Sequence, residues 1–276
     1  MMAPRRTPLS TRALAAWSVA VYAFLYLPIL FVVAHSFNRG RRLQLWRGFG
    51  IDWYQAALAN ESIRGAVAVS LRVALLNAVV SVLLGSTAGL ALARRGGAWA
   101  RPFTLLLVLV LVTPEIVDGI AYLIWFVRID MDLPLARYVI GHSVFSSAVV
   151  TLVVRARLQG LDESLEEAAA DLGATPWQAF RQVTLPLMLP AVIAGGLLAF
   201  TFSLDNVIIS SFVSAAGEFT LPVYVFSALR TGLKGDIAAI SALMLLVTLA
   251  GVALAALVLR RSGDSTEDVA ATLTGN

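Results

Sequence analysis

Six apolar runs, each close to the length that crosses a lipid bilayer, constrain the fold of this chain more than any other feature of its sequence. The hydrocarbon layer is about 30 Å thick and is crossed by roughly 20 helical residues. Each run must be helical within lipid, because unpaired backbone groups are costly there. The predicted spans are residues 14–35, 66–93, 103–127, 135–154, 187–213 and 237–259. Three of these spans contain prolines that predict kinks or local changes in backbone hydrogen bonding, namely Pro28, Pro114 and Pro190.

The composition supports the same fold class. Only 14% of the residues are charged and 59% are hydrophobic, whereas a soluble domain has roughly 25% charged residues. We therefore predict an all-α polytopic membrane protein with one six-helix domain at residues 14–260. Residues 1–13 precede it as a short segment, and residues 261–276 follow it as a polar tail that is predicted to be disordered. A signal peptide is the alternative for the first span, but that apolar run is too long and lacks a clear cleavage site.

The distribution of arginines predicts the orientation. They concentrate before the first span, between the second and third spans, after the fourth span, and at the end of the sixth. These four groups fall on one side of a six-span protein, and arginine-rich connectors favour the cytoplasm. Residues 36–50 contain four arginines and argue the other way, but the four groups outweigh them. We expect both termini and the connector at residues 155–186 in the cytoplasm. The net charge of +4 follows from this topology and does not require a nucleic-acid partner.

Several kinds of chemistry are excluded or disfavoured. The chain has no cysteine, so disulfides, thiolate nucleophiles and cysteine-bound metals are impossible. His35 and His142 are far apart in the sequence, and an isolated histidine favours a structural hydrogen bond over metal binding. The only lysine, Lys234, follows Leu233, so the Gly-Lys-Ser/Thr core of a P-loop is absent. Energy from ATP would have to come from another chain.

The connector at residues 155–186 contains a polar cassette, EEAAADLGATPWQAFRQVTLP, at residues 166–186. Ser164 and Glu167 have the spacing of a capping box, which predicts a first short helix. Gly173 stands where a helix ends in a left-handed residue. Thr175 and Gln178 form a second capping-box pattern, and they open a helix that runs to Pro186, where the fifth span begins. A helix lying in the membrane interface is the alternative, but such a helix carries basic and large apolar residues and this one is acidic.

This cassette resembles the EAA motif of ABC importer permeases. The shared pattern is Glu167-Ala168-Ala169, then Gly173, Val183 and Leu185-Pro186 at the family's spacing, with valine where isoleucine is usual. The resemblance implies the type I importer permease fold and a coupling helix that docks on an ATPase subunit. The coupling residues that it implies are Glu166, Glu167, Ala168, Ala169, Asp171, Gly173 and Pro176.

Two further stretches, residues 36–58 and 200–232, resemble polyamine-type permeases, in particular the second permease subunit of spermidine/putrescine importers. The resemblance implies a bacterial inner-membrane protein without a cofactor of its own. Its implied partners are a second permease chain in a heterodimer, two ATP-binding subunits that hold ATP and magnesium, and an external substrate-binding protein.

Acidic residues inside the spans are the candidates for the translocation pathway. Glu115 and Asp118 lie three residues apart on one helix face, and Asp205 lies beside Asn206. A charged residue at mid-bilayer costs roughly 2.5–3.5 kcal/mol, so these acids are expected to face a cavity that takes a cationic substrate. Alternatively they are paired within the chain, for example with Arg72, while Asn206 bonds a helix backbone.

Other polar and small residues favour structural roles. Asn77 and Ser81 are predicted to form hydrogen bonds between helices, and Gly85 and Gly89 to permit close helix crossing. Tyr138 stands near a span end and is predicted to be an interfacial anchor.

Three other functions remain as alternatives to the polyamine permease. One is a permease for a different small solute. Another is an intramembrane aspartic protease that uses Asp118 and Asp205, which would leave the cassette unexplained. The last is a passive channel or scaffold, which would have no ATPase partner.

Overall fold

A computed structural model describes residues 8–40, 45–214, 217–231 and 235–261. The regular structure in these residues is helical. The α-helices are α1 (Pro8–Ser36), α2 (Asp52–Ala59), α3 (Glu61–Arg94), α4 (Ala100–Val112), α5 (Glu115–Arg128), α6 (Pro134–Gln159), α7 (Ser164–Asp171), α8 (Pro176–Ala179), α9 (Leu185–Asp205), α10 (Ile208–Val213), α11 (Leu221–Thr231) and α12 (Gly235–Arg261). A π-helical segment, Phe180–Thr184, joins α8 to α9. The tail predicted to be disordered lies outside the described residues, apart from Arg261.

The six predicted spans are confirmed as candidate spans, but two of them are broken. The predicted fifth span, residues 187–213, is interrupted at Asn206 and Val207, between α9 and α10. Five helical stretches in the described residues are long and apolar enough to cross a membrane, and α4 with α5 makes a sixth if the pair counts as one span. These two helices meet at an angle of 101°. The break falls at Thr113 and Pro114, and a proline cannot donate the backbone hydrogen bond that would continue α4. The irregularity predicted at Pro114 is therefore confirmed, whereas α1 and α9 continue through Pro28 and Pro190.

The described chain divides into two compact units. Within the described residues, the larger unit lies in the ranges 62–227 and 246–261, and the smaller unit lies in the ranges 8–61 and 228–245. The core of the larger unit lies where α6 packs against α9, and its fully buried side chains include Val150, Val154 and Met188. The smaller unit is ordered around Asn38, whose side chain bonds the backbone of three residues in the following loop.

Glycines allow α3 to approach α6 closely, as predicted. A Cβ atom added at Gly85 would lie 2.5 Å from the Cβ of Val150, and one at Gly89 would lie 2.8 Å from the carbonyl oxygen of Thr151. Real Cβ atoms do not approach other heavy atoms so closely, so side chains at these positions would push the two helices apart.

Asn77 ties three helices together. Its amide nitrogen donates to Ser146 Oγ of α6 at 3.1 Å and to the Ala199 carbonyl of α9 at 2.9 Å. Its amide oxygen accepts from Ser81 Oγ at 3.3 Å. The predicted hydrogen bonds between helices are thus confirmed for Asn77, whereas Ser81 bonds within its own helix. The prediction for Tyr138 is wrong, because its ring is buried and its hydroxyl donates to the Glu218 carbonyl at 2.8 Å.

Candidate functional site

The polar cassette folds as a helical hairpin of α7, a corner at Gly173, and α8. The beginning of α7 differs from the prediction. The Ser164 amide donates to Asp162 Oδ1 at 2.9 Å, and this hydrogen bond holds the pKa of Asp162 below its usual range. The capping box predicted for Ser164 and Glu167 is wrong, since α7 begins after Glu163 without a side-chain cap of that kind. The Ser164 amide, which would donate to Glu167 in a capping box, is already taken by the Asp162 carboxylate. The Glu167 amide donates to the Glu163 carbonyl at 3.3 Å and not to the Ser164 hydroxyl.

The corner at Gly173 is confirmed. Gly173 has a φ of +86°, in the left-handed region that favours glycine. Its amide donates to the Ala170 carbonyl at 2.9 Å, and the Ala174 amide donates to the Ala169 carbonyl at 3.0 Å. This pair of bonds is a complete Schellman motif, which satisfies the last carbonyls of α7 and fixes the direction in which the chain leaves it.

The second capping box is also confirmed. The Thr175 amide donates to Gln178 Oε1 at 2.8 Å, and the Gln178 amide donates to Thr175 Oγ1 at 3.4 Å. The helix predicted to run to Pro186 continues beyond it, because the π-helical segment joins α8 to α9 without a break. Pro186 lacks an amide hydrogen, and at this point the Leu185 amide reaches back five residues to the Phe180 carbonyl. An unbroken helical path therefore connects the hairpin to α9.

The hairpin is largely exposed. No residue of α7 is buried, and Leu172 at its end is 90% exposed. Trp177 is also exposed and stacks on Phe180, with 5.5 Å between the ring centroids. The small alanine side chains of α7, which lie between Glu167 and Asp171 in the sequence, would let another protein approach the helix backbone closely. Exposed apolar residues beside charges, on a pre-organised helix, are suited to docking another protein.

Two neighbouring glutamates of α7 have different surroundings. Glu167 is exposed and its carboxylate has no hydrogen bond or ion pair within the part of the chain that the structure describes. Glu166 is turned toward its own chain, where it meets Arg94 at the end of α3 and Thr184 before α9. Sequence reasoning missed Arg94, because it lies 72 residues from Glu166 and only the fold brings the two together.

A cavity of about 430 Å³ lies among α5, α6, α9 and α10. It brings together three of the four residues predicted for the translocation pathway, Glu115, Asp205 and Asn206, but it does not include Asp118. The phenyl rings of Phe145 and Phe202 also line it and meet edge to face, with 5.6 Å between their centroids. The cavity thus combines carboxylates with aromatic surface.

The cavity residues differ in how far their own chain satisfies them. Asp205 Oδ1 accepts from Thr248 Oγ1 of α12 at 3.3 Å. Asn206 Oδ1 accepts from the Ser210 amide at 3.1 Å and so caps α10, which confirms the backbone bond considered for it. Glu115 has no side-chain hydrogen bond or ion pair among the described residues. Arg72 is exposed and is not paired with any of these acids in that part of the chain.

His142 has the structural role predicted for it. Its Nδ1 lies 2.7 Å from Ser203 Oγ, and its Nε2 lies 3.0 Å from Ser210 Oγ. The imidazole therefore links α6 to both sides of the break between α9 and α10. The described residues contain no cluster of three or more histidine, cysteine or acidic side chains that could hold a metal ion.

Comparison with known proteins decides the family. Residues 81–263 match the family described as "binding-protein-dependent transport system inner membrane component". The chain belongs to this family. It is a multi-pass inner-membrane permease subunit of a binding-protein-dependent ABC importer, which works with an ATPase and a binding protein. Permeases of this family are not catalytic and carry no cofactor, which excludes the protease alternative. A permease that works with an ATPase is not a passive channel, so that alternative is excluded as well.

Two relatives are polyamine permeases. The putrescine transport system permease protein PotI of Escherichia coli strain K12 is 38% identical over 240 residues, which cover 83% of this chain and 85% of the relative. The spermidine/putrescine transport system permease protein PotC of Haemophilus influenzae is 35% identical over 247 residues, which cover 90% and 96%. The resemblance seen in the sequence is therefore confirmed.

Solved structures share the fold. A bacterial alginate ABC transporter, in complex with an alginate-pentasaccharide-bound periplasmic protein, aligns with a TM-score of 0.67 at 16% identity, over 92% of this chain and 94% of the other. The inward-facing MetNI methionine transporter aligns with a TM-score of 0.57 at 20% identity, over 70% and 94%. At these identities the likeness supports the ABC permease fold and does not identify a substrate.

Proposed function

We propose that this permease forms half of the translocation pathway of a polyamine importer. A second, different permease chain forms the other half, two ATP-binding subunits dock below, and an external binding protein delivers the substrate. Both termini and the hairpin of α7 and α8 face the cytoplasm in this arrangement.

The cavity with Glu115 and Asp205 is the observation that carries the choice of substrate. Two carboxylates attract ammonium groups, and a phenyl face attracts a cation and also accommodates an alkyl stem. A diamine or triamine with short methylene spacers has both features. The names of the two relatives, which are permeases for putrescine and for spermidine/putrescine, point the same way.

The hairpin supports the proposed coupling to ATP. Its exposed residues, its fixed corner and its unbroken path into α9 suit a docking element that passes on a displacement. The docking surface that we propose consists of Glu167, Ala168, Ala169, Asp171, Gly173 and Pro176. Glu166 is left out of this surface, because its carboxylate is engaged within its own chain.

Uptake by the reconstituted importer tests the substrate class. We expect ATP-dependent uptake of radiolabelled putrescine into proteoliposomes, and we expect unlabelled spermidine to compete with it. A more distant relative, a putative 2-aminoethylphosphonate permease of Salmonella paratyphi A that is 27% identical, supplies the control solute. The zwitterion 2-aminoethylphosphonate should not compete with putrescine for uptake. ATP-dependent uptake of 2-aminoethylphosphonate without uptake of putrescine would contradict the proposed substrate and leave the family assignment intact.

The absence of cysteine makes the orientation directly testable. Leu172→Cys places a thiol on the exposed hairpin, and Ile51→Cys places one on the exposed loop after α1. A membrane-impermeant maleimide should label the first variant only in inside-out vesicles and the second only in right-side-out vesicles. The opposite pattern would place the hairpin outside the cell and exclude ATPase docking.

A further inference from the structure

A partly buried arginine joins α3 to the hairpin. Arg94 is the last residue of α3, and its side chain is only 14% exposed. Its Nε donates to Glu166 Oε1 at 3.1 Å, and its Nη1 donates to Glu163 Oε1 at 3.2 Å. The same Nη1 lies 3.4 Å from the Leu158 carbonyl near the end of α6. The guanidinium of Arg94 therefore contacts the end of α6 at Leu158 and, beyond the turn that follows, Glu163 and Glu166 at the beginning of α7.

Glu166 extends this contact to the fifth span. The oxygen that accepts from Arg94 also accepts from Thr184 Oγ1 at 2.9 Å. Thr184 is buried and is the last residue of the π-helical segment, directly before α9. A single carboxylate oxygen on α7 thus connects α3 with the beginning of α9. We call these three residues the Arg94–Glu166–Thr184 tie.

Burial decides which of the two acidic partners matters. The side chain of Glu163 is 65% exposed, and an ion pair in such a position contributes little. The side chain of Glu166 is 30% exposed and shares its oxygen with a buried hydroxyl. Its loss would leave Arg94 and Thr184 without their shared acceptor in a partly desolvated place. The bond to Glu166 is therefore the stronger one.

Apolar packing does not fix α7 in place. The helix buries no residue, so its orientation depends mainly on polar contacts and on the chain at its two ends. Among the described residues, the contact between Glu166 and Arg94 is the only ion pair that a residue within α7 makes with another helix. The tie is accordingly placed where it can determine how α7 moves with α3 and α9.

We infer that Arg94 and Glu166 are positioning residues that transmit the movement of α7 to α3 and α9 together. Glu167 faces outward to the ATPase subunit, and Glu166 faces inward to the membrane helices. The inference rests on the proposed docking of α7 on the ATPase. Without the tie, the ATPase subunits would still bind and hydrolyse ATP, but the displacement would reach the membrane helices mainly through the hairpin's second helix.

Uptake per ATP hydrolysed is the quantity that tests the tie. The variants R94A and E166A, assembled with the partner subunits in proteoliposomes, should each lower this ratio about fivefold while the ATPase subunits stay bound. The double variant should be no worse than either single variant, because both remove the same contact. R94K should not restore coupling, since an ammonium lacks the fork that reaches two acceptors at once.

Matched controls make the result specific. R95A removes the neighbouring arginine, which is exposed, and should leave the ratio unchanged within about twofold. E163A should have a similarly small effect. If R94A behaves like R95A, or if the losses in R94A and E166A multiply in the double variant, the tie is not a transmission element.

A milder variant covers the case in which R94A does not accumulate in the membrane. T184V removes one hydroxyl and should lower the ratio about twofold. An unchanged ratio in T184V and in E166A would also overturn the inference. Failure of the proposed docking would look different, because the unmodified permease would then not retain an ATPase subunit at all.

Discussion

Replacing Gly173 by valine is expected to lower substrate uptake about thirtyfold, because an L-residue pays roughly 1–2 kcal/mol in the left-handed region and a β-branched one pays more. The φ of +86° at this position is part of the Schellman motif that sets the angle between α7 and α8. Apart from Gly173 itself and its two chain neighbours, no heavy atom of the described residues lies within 4 Å of a Cβ built at this position. The loss would therefore come from the backbone conformation or from contact with the ATPase, and not from packing inside the permease. Initial uptake rates in proteoliposomes measure it.

Two variants distinguish the conformational cause from a clash with the partner. G173N keeps a residue that tolerates the left-handed region, so uptake should stay within about threefold of the original rate. If G173N is as impaired as G173V, the ATPase surface requires a bare backbone there and the conformational argument is wrong. G96V is the control, since Gly96 is exposed, lies in open space and has no left-handed φ. Its uptake should change by less than about twofold.

The hairpin could be predicted from the sequence because its determinants are local. A capping box spans four residues, and a glycine corner ends one helix at one position. The error at Ser164 is instructive, because Asp162 competes for the same free amide two residues earlier. A pattern of residue types identifies the start of a helix more reliably than it identifies which oxygen caps it.

Contacts between distant segments could not be predicted in the same way. No local pattern indicates that Arg94 meets Glu166 or that Thr184 shares its oxygen. The error at Tyr138 has the same origin, since its place near a span end is visible in the sequence but its burial is not.

The acids in the spans form an intermediate case. Their cost in lipid indicates that they face a cavity or a partner, but only the fold separates Glu115 and Asp205, which share a cavity, from Asp118, which lies outside it.

Asp205→Asn is expected to lower the uptake of a diamine about thirtyfold, since a hydrogen bond to a charged group contributes roughly 1.5–3 kcal/mol. The substitution preserves the shape of the side chain and an oxygen that can accept from Thr248, so it removes little besides the negative charge. Stimulation of ATP hydrolysis by the loaded binding protein should persist, because the hairpin and its docking surface are unchanged. Uptake rates as a function of putrescine concentration, measured beside ATP hydrolysis, give the result.

If Asp205 has a structural role instead, a different result is expected. A substitution at Thr248 distinguishes the structural role from the role in attracting the substrate. Thr248→Val removes the hydrogen bond between α12 and Asp205 but keeps the carboxylate in the cavity. If the charge attracts the substrate, T248V transports nearly normally and D205N does not. If the bond between the helices is what matters, T248V loses as much uptake as D205N, and the pathway role is wrong.

Asp118→Asn completes the comparison, because it neutralises an acid of the same region that does not line the cavity. Equal losses in D118N and D205N would mean that overall negative charge in the bundle, and not a defined cavity, determines the passage of the cation.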